Sequence, residues 1–214
     1  MLYDNVLGAI GNTPLIRINR LNPSKVPVYG KLESSNPGGS VKERISLSLI
    51  EAGEINGELT PDKIVLEATS GNTGIGLAMV CAAKGYRCQL IMPESASLER
   101  RQIMQAYGAE ILLTPAKRST DGAIEKAYAM AREHPERYFL TDQFNNDANW
   151  QAHYNHTAPE IWEQTGGEVS HIVATLGTSG TVMGLCKWFS EYHPDVKIVA
   201  VEPFLGHKIQ GLKN

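Results

Sequence analysis

The sequence predicts an α/β fold of two lobes, each built on a mostly parallel sheet that helices flank. Segments typical of strands alternate with segments typical of helices along most of the 214 residues. Several strand segments are continuously apolar, such as Leu90–Met92 and Ile172–Ala174, which is typical of parallel strands covered on both faces. The polar, irregular stretch 142–149 (DQFNNDAN) is a candidate hinge between the two lobes.

Short apolar runs bounded by Gly, Pro or polar clusters predict the strands. In chain order they are Val28–Leu32, Lys63–Ala68, Arg87–Met92, Ala109–Thr114, Tyr138–Thr141, His171–Leu176 and Lys197–Glu202, after a short apolar-polar alternation at Leu15–Ile18. Helical periodicity, with Gly85 and Gly108 at two C-termini, predicts the helices. They run from Ser40 to about Gly53, over Ile75–Lys84, Ser97–Tyr107, Asp121–Arg132 and Trp150–Gln164, and from the loop at 177–181 to about Tyr192.

Composition argues against several classes of partner. A formal net charge of −3 gives no electrostatic reason to expect binding to nucleic acid or to an anionic membrane. The three cysteines include no CxxC pair, so we expect reduced thiols and a cytoplasmic location. The N-terminus lacks the pattern of a signal peptide, and no apolar run approaches the length of a membrane span.

Lys42 is the first candidate for a chemically reactive residue. Asn36-Pro37-Gly38-Gly39 predicts a turn, and Ser40 with Glu43 predicts a capping box, which places Lys42 in the first turn of a helix. The helix dipole disfavours an ammonium group there, and a neutral amine can form a Schiff base with a carbonyl cofactor. An ordinary surface lysine remains the alternative.

Two loops are candidates for anion sites, because each follows a predicted parallel strand and precedes a helix. The loop at 69–73 (TSGNT) offers hydroxyls, an amide and backbone N–H groups that suit a carboxylate, and the loop at 177–181 (GTSGT) suits a phosphate. Neither matches a nucleotide-binding P-loop or a dinucleotide fingerprint. A simple turn with a helix cap remains the alternative for each.

His153, His156 and Glu160 share one predicted helix at spacings of three and four residues. Such spacing can turn three side chains toward one metal ion. No further Cys or His stands nearby in the sequence, so we predict no metal site here.

Three motifs in one order, NPGGSVKER, EATSGNTG and GTSGT, identify a family resemblance. The chain resembles the cysteine synthase and cystathionine β-synthase family of pyridoxal-phosphate enzymes, which have fold type II, similar to the β subunit of tryptophan synthase. The resemblance extends over almost the whole chain and includes IGNTPL, MPESAS, YGAE, DQFNN and GHKIQG. It also accounts for AHY at 152–154 without a metal ion.

The resemblance implies a role for each matching residue. Lys42 would be the Schiff-base lysine and the base that removes the Cα proton of the substrate. Asn72 would hydrogen-bond the ring hydroxyl of pyridoxal 5'-phosphate. The cofactor phosphate would be held by Gly177, Thr178, Ser179, Gly180 and Thr181, and the substrate carboxylate by Thr69, Ser70, Gly71, Thr73 and Gln143.

The implied activity is β-replacement that makes L-cysteine from O-acetyl-L-serine and sulfide. Cystathionine β-synthase, acting on serine and homocysteine, is the alternative within the family. A non-catalytic protein that binds serine acetyltransferase is the alternative from another class. The resemblance also implies a homodimer and serine acetyltransferase as a partner.

Members of this family extend well beyond a length of 214 residues, so we expect this chain to be shortened at its C-terminus. The expected organisation is an N-terminal segment of the large lobe (1–34), a small mobile lobe (35–143) and an incomplete first part of the large, phosphate-binding lobe (144–214). A missing part of the large lobe predicts an incomplete fold and weakened cofactor binding.

Overall fold

The computed structural model describes residues 2–207, 209, 211 and 212. These residues form eight strands: β1 (Leu15–Arg17), β2 (Tyr29–Lys31), β3 (Ile64–Ala68), β4 (Arg87–Pro93), β5 (Glu110–Thr114), β6 (Tyr138–Leu140), β7 (His171–Thr175) and β8 (Lys197–Val201). They also form seven α-helices: α1 (Lys42–Ile55), α2 (Asn72–Lys84), α3 (Leu98–Ala106), α4 (Ser119–Glu133), α5 (Ala148–Ala152), α6 (Ala158–Gln164) and α7 (Gly180–Tyr192).

The main sheet has four parallel strands in the order β5-β4-β3-β6. Every residue of β3 is buried, because helices cover both faces of the sheet. Val65 packs in a core shared with α1, α2 and α3, whereas Ile64 and Leu66 pack in a second core shared with α4. This arrangement confirms the predicted α/β class with parallel strands between helices.

A second parallel pair, β7 and β8, carries the phosphate-loop candidate. Its inner face packs against α6 and α7 through Ile172, Ile161, Leu185 and Phe189. The antiparallel pair of β1 and β2 lies apart from both parallel sheets. Because β3 ends at Ala68 and β7 ends at Thr175, the 69–73 and 177–181 loops both lie at carboxyl ends of parallel strands, where ligands bind in such sheets.

The helix predicted over Trp150–Gln164 is interrupted. It begins earlier, at Ala148, and consists of α5, a π-helical turn at His153–Thr157, and α6. Pro159 stands in the first turn of α6 and has no N–H to donate to the carbonyl four residues earlier. A widened π turn just before the proline accommodates that missing bond.

Close helix contacts fix α7 against the interrupted helix. A Cβ at Gly184 would lie 2.5 Å from the Trp150 carbonyl oxygen and 2.6 Å from the His153 Cβ. Only a glycine permits this approach, which sets the position of the loop that begins α7. Within the part of the chain that the structure describes, no helix is both long enough and apolar enough to cross a membrane.

Candidate active site

The twelve residues predicted from the sequence to bind cofactor or substrate all line one cavity of about 600 Å³. They are Lys42, Thr69, Ser70, Gly71, Asn72, Thr73, Gln143, Gly177, Thr178, Ser179, Gly180 and Thr181. The cavity lies between the main sheet and the β7-β8 pair. Residues separated by up to 139 positions in the chain therefore meet at one place.

Lys42 is the first residue of α1 and lines this cavity. Burial lowers the pKa of its side-chain amine below the ordinary lysine value. Desolvation is therefore the cause of the lowered pKa in the structure, rather than the helix dipole expected from the sequence. No hydrogen bond or ion pair engages its Nζ within the described residues, so the amine is open to a ligand.

The turn before α1 differs in detail from the predicted capping box. The Glu43 carboxylate accepts the Ser40 backbone N–H at 2.9 Å, as a capping box requires. The Ser40 hydroxyl accepts the Lys42 N–H at 3.0 Å, rather than that of Glu43, and donates to Glu43 Oε1 at 2.9 Å. A Cβ at Gly38 would lie 2.6 Å from Glu43 Oε1, so the glycine makes room for this carboxylate.

Arg44, two residues after Lys42, fixes α1 to the rest of the chain. Its guanidinium donates to Glu160 through Nη1 and Nη2, both at 2.7 Å, and to Glu33 through Nε at 2.7 Å. Lys31 adds a bond to Glu160 at 2.9 Å. These cations lower the pKa of Glu160 to about 2. The network joins the helix that carries Lys42 to α6 and to the segment before α1.

The 69–73 loop connects to Gln143 across the cavity. The Thr73 hydroxyl donates to Gln143 Oε1 at 2.8 Å, and the Thr69 hydroxyl accepts the Gly71 N–H at 3.3 Å. Asn72 and Thr73 lie in the first turn of α2, which begins at Asn72 rather than at the predicted Ile75. Hydroxyls and the first N–H groups of a helix suit a carboxylate ligand.

The 177–181 loop turns sharply before α7. Ser179 has φ +65°, in the left-handed region that a non-glycine residue adopts at a cost. Its hydroxyl donates to the Thr178 carbonyl at 2.6 Å. A Cβ at Gly180 would lie 1.9 Å from Asn149 Oδ1, so this position also requires glycine. The loop brings hydroxyls together with the first N–H groups of an α-helix of 13 residues, a combination suited to a phosphate.

Asn149 joins the two loops, and sequence reasoning missed it. Its Nδ2 donates to the Gln143 carbonyl at 2.6 Å and to the Thr178 hydroxyl at 2.9 Å. Gln143 in turn contacts Thr73, so one chain of hydrogen bonds runs from the carboxylate candidate to the phosphate candidate. The only signal in the sequence was the polar stretch 142–149.

Glu67 is a second residue that sequence reasoning missed. It is buried at the end of β3, where its Oε1 accepts the Ala68 N–H at 2.9 Å. Its Oε2 accepts the Thr141 hydroxyl at 2.6 Å and the Gln143 N–H at 3.1 Å. Burial raises the pKa of this carboxyl, and the three hydrogen bonds act in the opposite direction. Glu67 thereby fixes the backbone on both sides of the carboxylate candidate.

His153, His156 and Glu160 do not form the metal site considered from their spacing. The His153 ring is buried and lies 2.9 Å from the Thr157 hydroxyl and 3.2 Å from the Thr181 hydroxyl. Glu160 is bound instead to Arg44 and Lys31. Burial, with the charges of Lys42 and Arg44, lowers the pKa of His153 to about 3. Its imidazole is therefore neutral at pH 7 and supports the 177–181 loop through Thr181.

The cavity residues fit pyridoxal phosphate. Lys42 offers the aldehyde an amine that has no partner among the residues the structure describes, and the loop at 177–181 offers a helix N-terminus for the phosphate. Among the described residues that line the cavity, none is Asp or Glu, so nothing there opposes an anionic cofactor. Asn72 would face the ring hydroxyl, as the resemblance implies.

A family model described as pyridoxal-phosphate dependent enzyme matches residues 6–212. The chain belongs to this family. The match covers most of the chain and confirms the resemblance seen in the three ordered motifs, together with pyridoxal phosphate as the cofactor of the family.

Curated relatives carry the name cysteine synthase. The chain is 47% identical over 211 residues to a cysteine synthase of a Flavobacterium species, covering 99% of this chain and 68% of that protein. It is 47% identical over 205 residues to cysteine synthase B of Escherichia coli, covering 95% and 67% respectively. The chain thus spans about two thirds of the length of these relatives.

Solved structures share the fold. O-ureido-L-serine synthase aligns with a TM-score of 0.94 at 39% identity, covering all of this chain and 71% of that one. Cysteine synthase from Entamoeba histolytica aligns with a TM-score of 0.94 at 41% identity, covering 99% and 67%. These matches confirm the predicted fold type II architecture.

Proposed function

We propose that this chain makes L-cysteine from O-acetyl-L-serine and sulfide by pyridoxal-phosphate-dependent β-replacement, as a cysteine synthase. The observation that carries the proposal is the amine of Lys42, which has no partner among the described residues and shares one cavity with a carboxylate loop and a phosphate loop. The names of relatives at 47% identity support the same activity. The described residues of the cavity include no carboxylate that would repel an amino-acid substrate.

Each group of residues that lines the cavity has its own role in the proposed reaction. The 69–73 loop and Gln143 hold and orient the α-carboxylate of the substrate. Lys42 moves the proton at Cα, because burial lowers the pKa of its amine and so favours the neutral form that accepts a proton. The loop at 177–181 anchors the cofactor phosphate. Bound there, pyridoxal phosphate supplies the electron sink for loss of the Cα proton and of the β-leaving group.

We infer a cytoplasmic homodimer that binds serine acetyltransferase, with 35–143 as a mobile small lobe. The family resemblance supports the partner and the mobile lobe. The reduced state expected for the three cysteines supports the location. The family resemblance supports the homodimer as well.

The direct test supplies the purified chain with pyridoxal phosphate, O-acetyl-L-serine and sulfide, and measures L-cysteine and acetate. We expect both products in equal amounts and none from Lys42→Ala. Homocysteine with serine tests the cystathionine alternative. Formation of cystathionine without cysteine would contradict the proposal and would show cystathionine β-synthase activity instead. A chain that binds serine acetyltransferase without making either product would establish the non-catalytic alternative.

A further inference from the structure

One wall of the cavity has no task in the proposed reaction. It is formed by the segment between β4 and α3 and by the start of α4. Its polar members are the hydroxyls and the guanidinium of Ser95, Ser97, Arg100, Ser119 and Thr120. The 69–73 and 177–181 loops already account for two anions, a substrate carboxylate and a cofactor phosphate.

Arg100 is a cation with no acidic partner in the described part of the chain. Its guanidinium donates one long hydrogen bond, 3.4 Å, from Nη1 to the Ser70 carbonyl oxygen. Within the described residues its guanidinium forms no ion pair, and its other donors have no acceptor. The half-buried guanidinium forms part of the cavity wall and touches the carboxylate loop. An arginine fork with free donors suits a planar or tetrahedral oxyanion.

The surrounding hydroxyls complete a set of donors. Ser95, Ser119 and Thr120 line the same cavity as Arg100, and no hydrogen bond engages their hydroxyls within the described part of the chain. Ser97 is different, because its hydroxyl caps α3 by accepting the Arg100 backbone N–H at 3.3 Å. That bond fixes the start of the helix from which the Arg100 side chain reaches the cavity.

We propose that Arg100, with the hydroxyls of Ser95, Ser119 and Thr120, forms a third anion subsite for a tetrahedral oxyanion group. Such a group is either a phosphate ester on the β-carbon of the amino-acid substrate or the sulfonate end of a thiosulfate donor. Both present the same oxygen geometry to the guanidinium. This inference rests on the proposed function, because it assigns the subsite to the reacting end of the substrate or to its sulfur donor.

Anion binding is measured first, without turnover. The protein is saturated with pyridoxal phosphate, so that the 177–181 loop is occupied, and is titrated separately with inorganic phosphate and thiosulfate while its melting temperature is recorded. Sodium chloride at matched ionic strength is the reference. We expect saturable stabilisation by the tetrahedral anions and at least a tenfold weaker apparent affinity in Arg100→Gln.

Arg101→Gln is the matched control. It removes the same charge from the next position of α3, and Arg101 contacts the Glu94 carbonyl rather than the cavity. We expect it to keep the affinity of the parent protein. Equal affinity in Arg100→Gln and the parent, or no saturable stabilisation of the parent, would overturn the subsite.

Turnover then identifies the source of the oxyanion. If Arg100→Gln lowers kcat/KM for O-phosphoserine at least tenfold more than kcat/KM for O-acetylserine, the subsite binds the substrate. The same fall for thiosulfate relative to sulfide assigns it to the donor, with the thiosulfate reaction followed as S-sulfocysteine, because the terminal sulfur of thiosulfate adds to Cβ with its sulfonate group still attached. Equal kcat/KM ratios in Arg100→Gln and the parent would overturn the assignment. If the proposed function is wrong, the result is different: no cysteine forms, although the anions still raise the melting temperature of the protein.

Discussion

Glu67 is a buried carboxylate surrounded by donors at both oxygens. In Glu67→Gln the amide N–H₂ group takes the place of one carboxylate oxygen. It then faces the backbone N–H of Ala68 in one orientation of the side chain and that of Gln143 in the other. An unsatisfied buried donor costs about 1–3 kcal/mol. We therefore expect a loss of that size in the free energy of unfolding, measured by urea denaturation.

Glu110→Gln provides the comparison for this substitution. Glu110 is an exposed carboxylate at the start of β5, bonded to the Gln89 amide. Exposed substitutions of this kind usually change stability by less than about 0.5 kcal/mol. Equal losses in the two variants would contradict the role given to Glu67.

Lys42 and Glu67 differ in how far the sequence could reveal them. Lys42 stands beside glycines, a proline and a cap, so local rules place it at the start of a helix. Glu67 and Asn149 act through partners 74 and 29 positions away, Thr141 and Thr178. Such contacts exist only once the sheet has formed, and a single sequence gives no sign of them.

At the scale of elements, the Arg44–Glu160 pair joins α1 to α6. The pKa of Glu160 is about 2 in the folded chain, against 4.5 for a free carboxyl. A depressed pKa stabilises the fold above pH 4.5, and that stabilisation is lost as pH falls from there toward 2. We expect the parent to lose more stability than Glu160→Gln between pH 5 and pH 3, as followed by urea midpoints. Parallel losses would show that this pair does not set the acid sensitivity.

The packing of α7 makes a second prediction for an element. In Gly184→Ala the new Cβ would meet the Trp150 carbonyl at 2.5 Å, so α7 must move away from the interrupted helix. Overpacking of this kind costs about 1–3 kcal/mol, and we expect a correspondingly lower melting temperature. Cys186→Ala, exposed on the same helix, serves as control. An unchanged melting temperature in Gly184→Ala would show that this approach is not tight.

The boundaries of elements were less predictable than their order. The alternation of strands and helices follows from local apolar periodicity and turn residues, and the structure has the same order. The π turn at His153–Thr157 arises from Pro159 together with the close packing of α7. Propensity alone could not distinguish it from a regular helix.

At the scale of the whole molecule, Asn149 couples the two loops of the cavity. Asn149→Ala removes its bonds to the Gln143 carbonyl and the Thr178 hydroxyl. A hydrogen bond is worth about 0.5–1.5 kcal/mol, so loss of the one bond to the 177–181 loop predicts roughly twofold to tenfold weaker binding of pyridoxal phosphate in a fluorescence titration. Asn145→Ala, in the same stretch but bonded to Tyr128 and Asp142, should bind the cofactor like the parent. Equal weakening in both variants would point to a general loss of stability.

Lys42 is proposed to hold the cofactor in this cavity. The most direct measurement incubates the chain with pyridoxal phosphate, reduces it with borohydride and locates the modified lysine by peptide mass spectrometry. We predict modification at Lys42, with a visible absorbance band that is absent from Lys42→Ala. Modification spread over exposed lysines, or an unchanged band in Lys42→Ala, would contradict the claim.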